Sequence, residues 1–403
     1  MLAVDQKLLL SLLCQIIHNR PIRESEEFLK EYINKIIYMS SGHMILPLVL
    51  NGVYQTYPEL AEKFKNRAVK RTIQQAEKSA SFLLLYEKML EHGLSPLVLK
   101  GIICRNLYPE PELRSSADED LLIRPHEIYA CHSFLIDHGF HLTDPDISLE
   151  KEYEISYQNS DSHLYIEVHK HLFPPYDQSY GYLNEIFDRP EEPATILVYG
   201  TAFRTLGYTD HFLYMLAHAY KHVIYSGIGI RQICDIALFI DSYREQIDWD
   251  RVTEVCKQYH LDQFVQAILL ICEKYLGMQS VNISFTAKSV NEEPLLLDIL
   301  SGGVYGANDE NRLHSSTMTL KAISADKEGR KTNGIMKSVF PSLGYMKKSY
   351  PYLKKNPYLL PAAWVQRIYR YAFQSSSNVD AAKTLEIGRE RIRMLKEYGI
   401  IQE

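Results

Sequence analysis

The stretch "LVLKGIICRNLYPEPELRSSADEDLLI", residues 97–123, places acidic residues directly before an apolar run. Its first apolar run ends at Lys100 and Gly101, and its second follows three consecutive acids at positions 118–120. Short apolar runs bounded by turn residues predict buried β-strands. The sequence therefore predicts two short strands, one ending in Lys-Gly and the other beginning with carboxylates.

The three acids are predicted to point in alternating directions. Residues two apart in a strand face the same side, so Asp118 and Asp120 would point together and Glu119 away. Two carboxylates on one face repel unless a cation or a proton lies between them, and oxygen ligands suit Mg²⁺ or Mn²⁺. Glu167 lies mid-strand in "LYIEVHKH" and is the predicted third acid, with His169 on the same face. These residues predict a metal site made by Asp118, Asp120 and Glu167.

The residues between the two predicted strands suit an anion. Gly101 permits close backbone approach, the helix start after it offers free N–H groups, and Arg114 could make a bidentate phosphate contact. Together with Lys100 and the acids, they favour phosphoryl or nucleotidyl transfer, in which positioning and charge neutralisation supply most of the catalysis. Each feature alone has an ordinary alternative: a solvated acidic turn, a turn glycine or a surface cation.

The order of these residues resembles the bacterial family of uncharacterised nucleotidyltransferases, within the polymerase-β-type superfamily. The resemblance runs from about residue 97 to residue 238. It rests on Lys100-Gly101, Tyr108-Pro109, Arg114, Asp118 with Asp120, "IEVH" at 166–169, "LAHAYKH" at 216–222 and "DIALFI" at 235–240.

The resemblance implies a mixed sheet that holds three carboxylates and two divalent metal ions. It also implies transfer of a nucleotide from an NTP to an acceptor hydroxyl, with Lys100, Gly101 and Arg114 cradling the triphosphate. Superfamily members normally follow the glycine with Ser, whereas this chain has Ile102. A non-catalytic nucleotide- or RNA-binding protein on the same scaffold is the alternative. A sugar, an antibiotic, a protein side chain and an RNA end all stay open as the acceptor.

Further polar groups are predicted on otherwise apolar helices. His218 and His222 lie four residues apart, as zinc ligands can, but no zinc-protease Glu lies between them, which favours a structural or substrate-facing role. Asp235 is predicted to pair with Arg231 one turn earlier or with one of these histidines. These four residues, together with His169, form the predicted acceptor site.

Hydrophobic periodicity predicts an α+β protein with a small mixed-sheet core between helical regions. Apolar residues spaced by three and four predict helices up to Gly93 and again from Thr209. Between them, a helix ending at Gly139 and a hairpin turning at 159–161 predict the α+β unit. The predicted domains are 1–94 (helical), 95–200 (nucleotidyltransferase-like core), 201–317 (helical) and 318–403 (basic extension).

The net charge and the tail bear on whether the protein binds nucleic acid. A net charge of -6 argues against a basic surface for nucleic acid. Four tail lysines at 347, 348, 354 and 355, interleaved with tyrosines, could hold single-stranded nucleic acid, although a solvated face is favoured. Six scattered cysteines without a C-x-x-C pair fit reduced thiols and a cytoplasmic location. The first apolar run predicts a buried helix rather than a signal peptide, and we expect no membrane span.

Overall fold

The helices and strands are taken from a computed structural model that describes residues 1–225, 227–281, 283, 285, 289–304 and 381–401, with scattered residues between 312 and 366. The helices are α1 Val4–Ile17, α2 Glu26–Gly42, α3 Leu46–Thr56, α4 Pro58–Glu62, α5 Lys65–Glu91, α6 Gly101–Arg105, α7 Ile128–Asp137, α8 Tyr208–Tyr225, α9 Ile230–Tyr243, α10 Trp249–Gln258, α11 Asp262–Leu276, α12 Glu293–Gly302 and α13 Ala381–Glu397. The strands are β1 Leu97–Leu99, β2 Glu119–Leu122, β3 His141–Leu142, β4 Glu154–Asn159, β5 Leu164–His169, β6 Ala194–Val198 and β7 Thr201–Thr205.

Five strands form one mixed sheet in the order β1-β2-β5-β4-β3. β2 and β5 are parallel, and the other neighbours are antiparallel. The register places Asp120 opposite Glu167 and places both Leu122 and Glu154 opposite His169. Because paired residues share a face, the carboxylates of Asp120, Glu154 and Glu167 gather on one side of the sheet. The predicted mixed sheet and α+β class are confirmed.

Apart from the buried Glu119, the other face of the sheet is apolar and packs on helices α5 and α7. Leu121, Ile166 and Val168 lie in this core with Phe82 of α5 and Leu135 of α7, all buried. Removing these side chains from water stabilises the sheet by roughly 2 kcal/mol for each large residue. The polar face lies on the opposite side of the sheet from this core.

A second core joins the two ends of the chain. Buried residues of α1 to α3 pack in one cluster with residues of α8, α9 and α11, and with Leu395 of α13. The apolar run at the N-terminus forms the predicted buried first helix. Helices from the first and third predicted domains share this core. The division of the chain into four domains stays a prediction.

The sequence did not predict the hairpin made by β6 and β7. Tyr199 and Gly200 join its strands with φ of 50° and 87°, the two positive values that a tight type I′ turn requires. The Thr205 hydroxyl donates to the Val98 carbonyl at 2.6 Å, which fastens β7 to β1. The alternation of side chains in "TILVYGTAFRT", residues 195–205, on either side of Tyr199-Gly200 could have predicted this hairpin.

Other local predictions hold. β4 and β5 form the predicted hairpin, and α7 ends before Gly139, whose φ is 80°. All six cysteines carry free thiols.

Within the described part of the chain, no helix combines the length and apolar character needed to cross a bilayer. In the lysine- and tyrosine-rich tail, Lys347, Lys348 and Lys355 lie outside the described residues, so the prediction of nucleic-acid binding there stays untested.

Candidate active site

Glu119 points away from the other acids and fixes the turn between β1 and α6. Its Oε2 accepts the Ile102 N–H at 2.8 Å, and its Oε1 forms a buried ion pair with Arg105. A Cβ on Gly101 would lie 2.1 Å from Glu119 Oε2, so only glycine fits there. Where a phosphate anion was predicted at this helix start, the Glu119 carboxylate accepts the Ile102 N–H instead.

Asp120, Glu167 and His169 form a cluster on the polar face of the sheet. Lys100 Nζ lies 3.0 Å from Asp120 Oδ2, and His169 Nε2 lies 3.2 Å from Asp120 Oδ1 and 3.7 Å from Glu167 Oε2. One ligand atom from each of the three clustered residues lies within 4.8 Å of the others. Asp120 and His169 are buried and Glu167 is half-buried. Two carboxylates and an imidazole at this spacing are a donor set that fits a divalent cation.

Neighbouring charge separates the pKa values of these acids. Burial alone would raise the pKa of Asp120, but Lys100 and His169 hold it well below its ordinary value. Burial and the carboxylates of Asp120 and Glu154 raise the pKa of Glu167 to about 9. The raised pKa of Glu167 shows that the cations of the cluster do not offset its carboxylates, which favours a proton or an added cation between them.

Asp118 lies just before β2 and is half-buried. Burial and the nearby Asp120 carboxylate raise its pKa, whereas Lys100 and Arg231 lower it. Asp118 therefore lies near enough to the cluster for the charges of Asp120 and Lys100 to shift its pKa. It lies outside the group of three whose ligand atoms are close together.

Helix α8 lies against this polar face. Lys100 Nζ is 2.8 Å from His218 Nε2, which is 3.1 Å from His222 Nε2. Because an ammonium only donates, His218 Nε2 accepts from Lys100, and its proton lies on Nδ1. Burial, reinforced by Lys100 for His218 and by Lys221 for His222, lowers both histidine pKa values well below normal. The two rings are therefore neutral groups at the edge of the acid cluster.

Lys221 is a site residue that the sequence did not single out. It lies on α8 between His218 and His222, over the rings of Tyr153 and Tyr180, with Nζ 5.9 and 6.0 Å from their centroids. Burial lowers its pKa, while Glu154, Glu167 and Asp120 oppose that change. Lys221 lies three residues after His218 and therefore on the same helix face, and this spacing could have predicted its place in the site.

This fold and cluster agree with a known protein family. A family model described as uncharacterised nucleotidyltransferase matches residues 30–277, more than half of the chain. The chain belongs to this uncharacterised nucleotidyltransferase family. No curated protein and no solved structure matches it. The resemblance of the motifs to this family is confirmed, and membership in it supports transferase chemistry with a nucleotide substrate.

In this nucleotidyltransferase-family protein, Arg114 is occupied within the fold. Its Nε and Nη2 donate to Asp235 Oδ1 and Oδ2 at 3.1 and 2.6 Å, and the Tyr108 hydroxyl donates to Oδ1 at 2.8 Å. Arg231 Nη1 donates to the Ser115 carbonyl. Arg114, Arg231 and Asp235 thus anchor the loop that leads to the acids. The predicted phosphate contact of Arg114 would require it to leave Asp235.

Proposed function

We propose that this protein transfers an NMP group from an NTP to an acceptor hydroxyl, with Mg²⁺ or Mn²⁺ held by Asp118, Asp120 and Glu167. One observation carries the proposal: Asp120 and Glu167 lie directly opposite each other on adjacent parallel strands, on a polar face beside Lys100. Family membership supports the same class of reaction. Catalysis of this kind depends on positioning and charge neutralisation.

The donor set decides which cation fits. Carboxylate oxygens from Asp120 and Glu167 suit Mg²⁺, and the His169 imidazole beside them also suits Mn²⁺. When bound, such an ion would neutralise phosphate charge and favour nucleophilic attack at phosphorus. His169 would keep Asp120 in its orientation through the 3.2 Å contact.

The phosphates would be held chiefly by the lysines. Because Glu119 occupies the Ile102 N–H and Asp235 occupies Arg114, neither donor is available without rearrangement. Lys100 lies beside the acids, and the half-buried Lys221 interacts electrostatically with Glu154, Glu167 and Asp120. Gly101 and Arg114 would act by fixing the backbone around the phosphates.

The acceptor would enter along α8. His218 and His222 are neutral, and their low pKa values make them weak bases. They would therefore orient a hydroxyl by hydrogen bonding. Glu167, ionised when a cation is bound beside it, would take the hydroxyl proton as the oxygen bonds to the α-phosphorus and pyrophosphate leaves. Arg231 and Asp235 would position the loop and need not touch the acceptor.

The test is nucleotide transfer with labelled NTPs in a cell extract, together with thermal shift in Mg²⁺ and ATP. We expect the wild type to label an acceptor and to melt at a higher temperature with Mg²⁺ and ATP, since ligands that bind only the folded state stabilise it. Asp120→Asn and Glu167→Gln should abolish labelling. Asp137→Asn makes the same chemical change on an exposed residue of α7 and should behave as the wild type.

The binding-only alternative has its own support. Ile102 replaces the usual Ser, and its N–H is bonded to Glu119. A thermal shift with ATP, without transfer to any acceptor, would favour a nucleotide-binding protein. Labelling by Asp120→Asn at the wild-type rate would contradict the catalytic role of the cluster.

A further inference from the structure

We propose that a groove between α5 and the loop at residues 114–118 is a second anion site, which binds the phosphate group of a small molecule. The groove has a volume of about 420 Å³. Arg71, Gln75 and Lys78 line one side and share a face of α5, because they lie four and three residues apart. Ser115 and Ser116 line the other side. None of these residues belongs to the acid cluster.

The charge of the groove is positive. Arg71 and Lys78 bring two cations, and among the described residues no Asp or Glu lines the groove or forms an ion pair with either of them. Arg71 is exposed and Lys78 is half-buried, so both can reach a ligand in the groove. Two cations without a neutralising carboxylate attract an anion, and arginine is well suited to phosphate oxygens.

The groove also contains buried donors that lack a partner. Gln75 is only 3% exposed, and its Oε1 accepts the Ser116 N–H at 2.7 Å. Its Nε2 has no hydrogen-bond partner within the described part of the chain, and the same is true of Ser115 Oγ. Buried polar groups are normally paired. Phosphate oxygens beside Arg71 and Lys78 would accept hydrogen bonds from Gln75 Nε2 and Ser115 Oγ.

The same contacts connect the groove to the active site. Arg231 donates a hydrogen bond to the Ser115 carbonyl, and Gln75 accepts one from the Ser116 N–H. Asp118 lies two residues after Ser116. A ligand that bonds Ser115 and Gln75 therefore stabilises the loop position that presents Asp118. By linkage, a ligand in the acid cluster that uses this loop position strengthens binding in the groove by the same factor.

The test is calorimetric titration of the full chain with inorganic phosphate, without added metal. We expect Arg71→Gln/Lys78→Gln to weaken binding about tenfold or more, a loss of about 1.4 kcal/mol, and Ser115→Ala to weaken it less. Lys30→Gln/Lys88→Gln removes the same charge from exposed positions outside the groove and should bind as the wild type. Absence of binding to the wild type at millimolar phosphate, or equal binding by the Arg71/Lys78 variant, overturns the proposal.

A further variant separates this site from the proposed triphosphate site. Lys100→Met should keep phosphate binding, because Lys100 does not line the groove. Loss of binding in Lys100→Met with retention in Arg71→Gln/Lys78→Gln would place the phosphate among the acids and overturn the groove site. AMP as a second probe distinguishes the ligand source: tighter binding than phosphate indicates a phosphate ester, and equal binding indicates the free ion. The result does not depend on whether transfer occurs.

Discussion

At the scale of single residues, the contact between Gly101 and Glu119 organises the site. The Glu119 carboxylate accepts the Ile102 N–H in the first turn of α6 and pairs with the guanidinium of Arg105, which is 1% exposed. A buried ion pair is costly to break because the remaining charge is left without compensation. The neighbouring Asp120 is thereby held at a fixed point on the opposite face of the sheet.

Gly101→Ala should lower the free energy of unfolding by about 3 kcal/mol, because its Cβ would displace Glu119 from Ile102 and strain the buried pair. Urea denaturation measures this change. Gly93→Ala is the matched control: its φ is also positive, at 78°, but nothing lies within 4 Å of the added Cβ. It should cost about 1 kcal/mol. Equal losses in both variants would contradict the role of the Glu119 contact.

At the scale of elements, the loop between α6 and β2 is tied to α9. Arg114 and Tyr108 both bond Asp235, and Arg231 bonds the Ser115 carbonyl. Burial would raise the pKa of Asp235, but Arg114 lowers it, so the carboxylate stays ionised. These buried bonds fix the approach of the chain to Asp118.

Arg114→Met should destabilise the protein by about 3–5 kcal/mol, since it leaves Asp235 buried without its cation. Arg114→Met/Asp235→Asn should recover part of this loss, because the uncompensated charge is gone. Denaturation of the single and double variants measures the coupling. We expect the double variant to bind NTP with nearly wild-type affinity; a loss of NTP affinity of about tenfold or more would instead indicate the phosphate contact first predicted for Arg114.

At the scale of the whole molecule, His43 joins distant parts of the chain. It follows α2, accepts the Ile230 N–H through Nδ1 and donates from Nε2 to the Leu300 carbonyl, both at 3.3 Å. It is completely buried. Burial lowers its pKa from 6.5 to about 4, so the folded protein holds it neutral.

Stability should fall on acidification between pH 6.5 and pH 4. In that window the unfolded chain binds a proton at His43 and the folded chain does not, so the free energy of unfolding rises with pH. The pKa difference corresponds to about 3 kcal/mol, with no penalty above the window and the full penalty below it. Urea midpoints at several pH values measure the effect. His43→Gln removes the titration and should lose less stability on acidification; identical slopes would assign the effect to other groups.

The sequence alone determined the local structure and the chemistry of the central residues. The period of two determines which side of β2 carries Asp120 and which carries Glu119. The order of the motifs is enough to indicate the family. The same period placed Glu167 and His169 together on β5. The β6–β7 hairpin was missed although its Tyr199-Gly200 turn was visible in the sequence.

The tertiary structure alone decided which faces meet. Arg114, predicted to hold phosphate, pairs with Asp235, which lies 121 residues later in the chain. The free N–H predicted at Ile102 is bonded to Glu119, and Lys221 joins the site only because α8 packs against the acid face. Periodicity specifies the direction of a side chain within its own helix or strand, but its partner depends on packing between elements far apart in sequence. For this reason Asp120, Glu167 and the neighbouring Lys100 could be predicted from the sequence, whereas Lys221, which comes from a distant helix, could not.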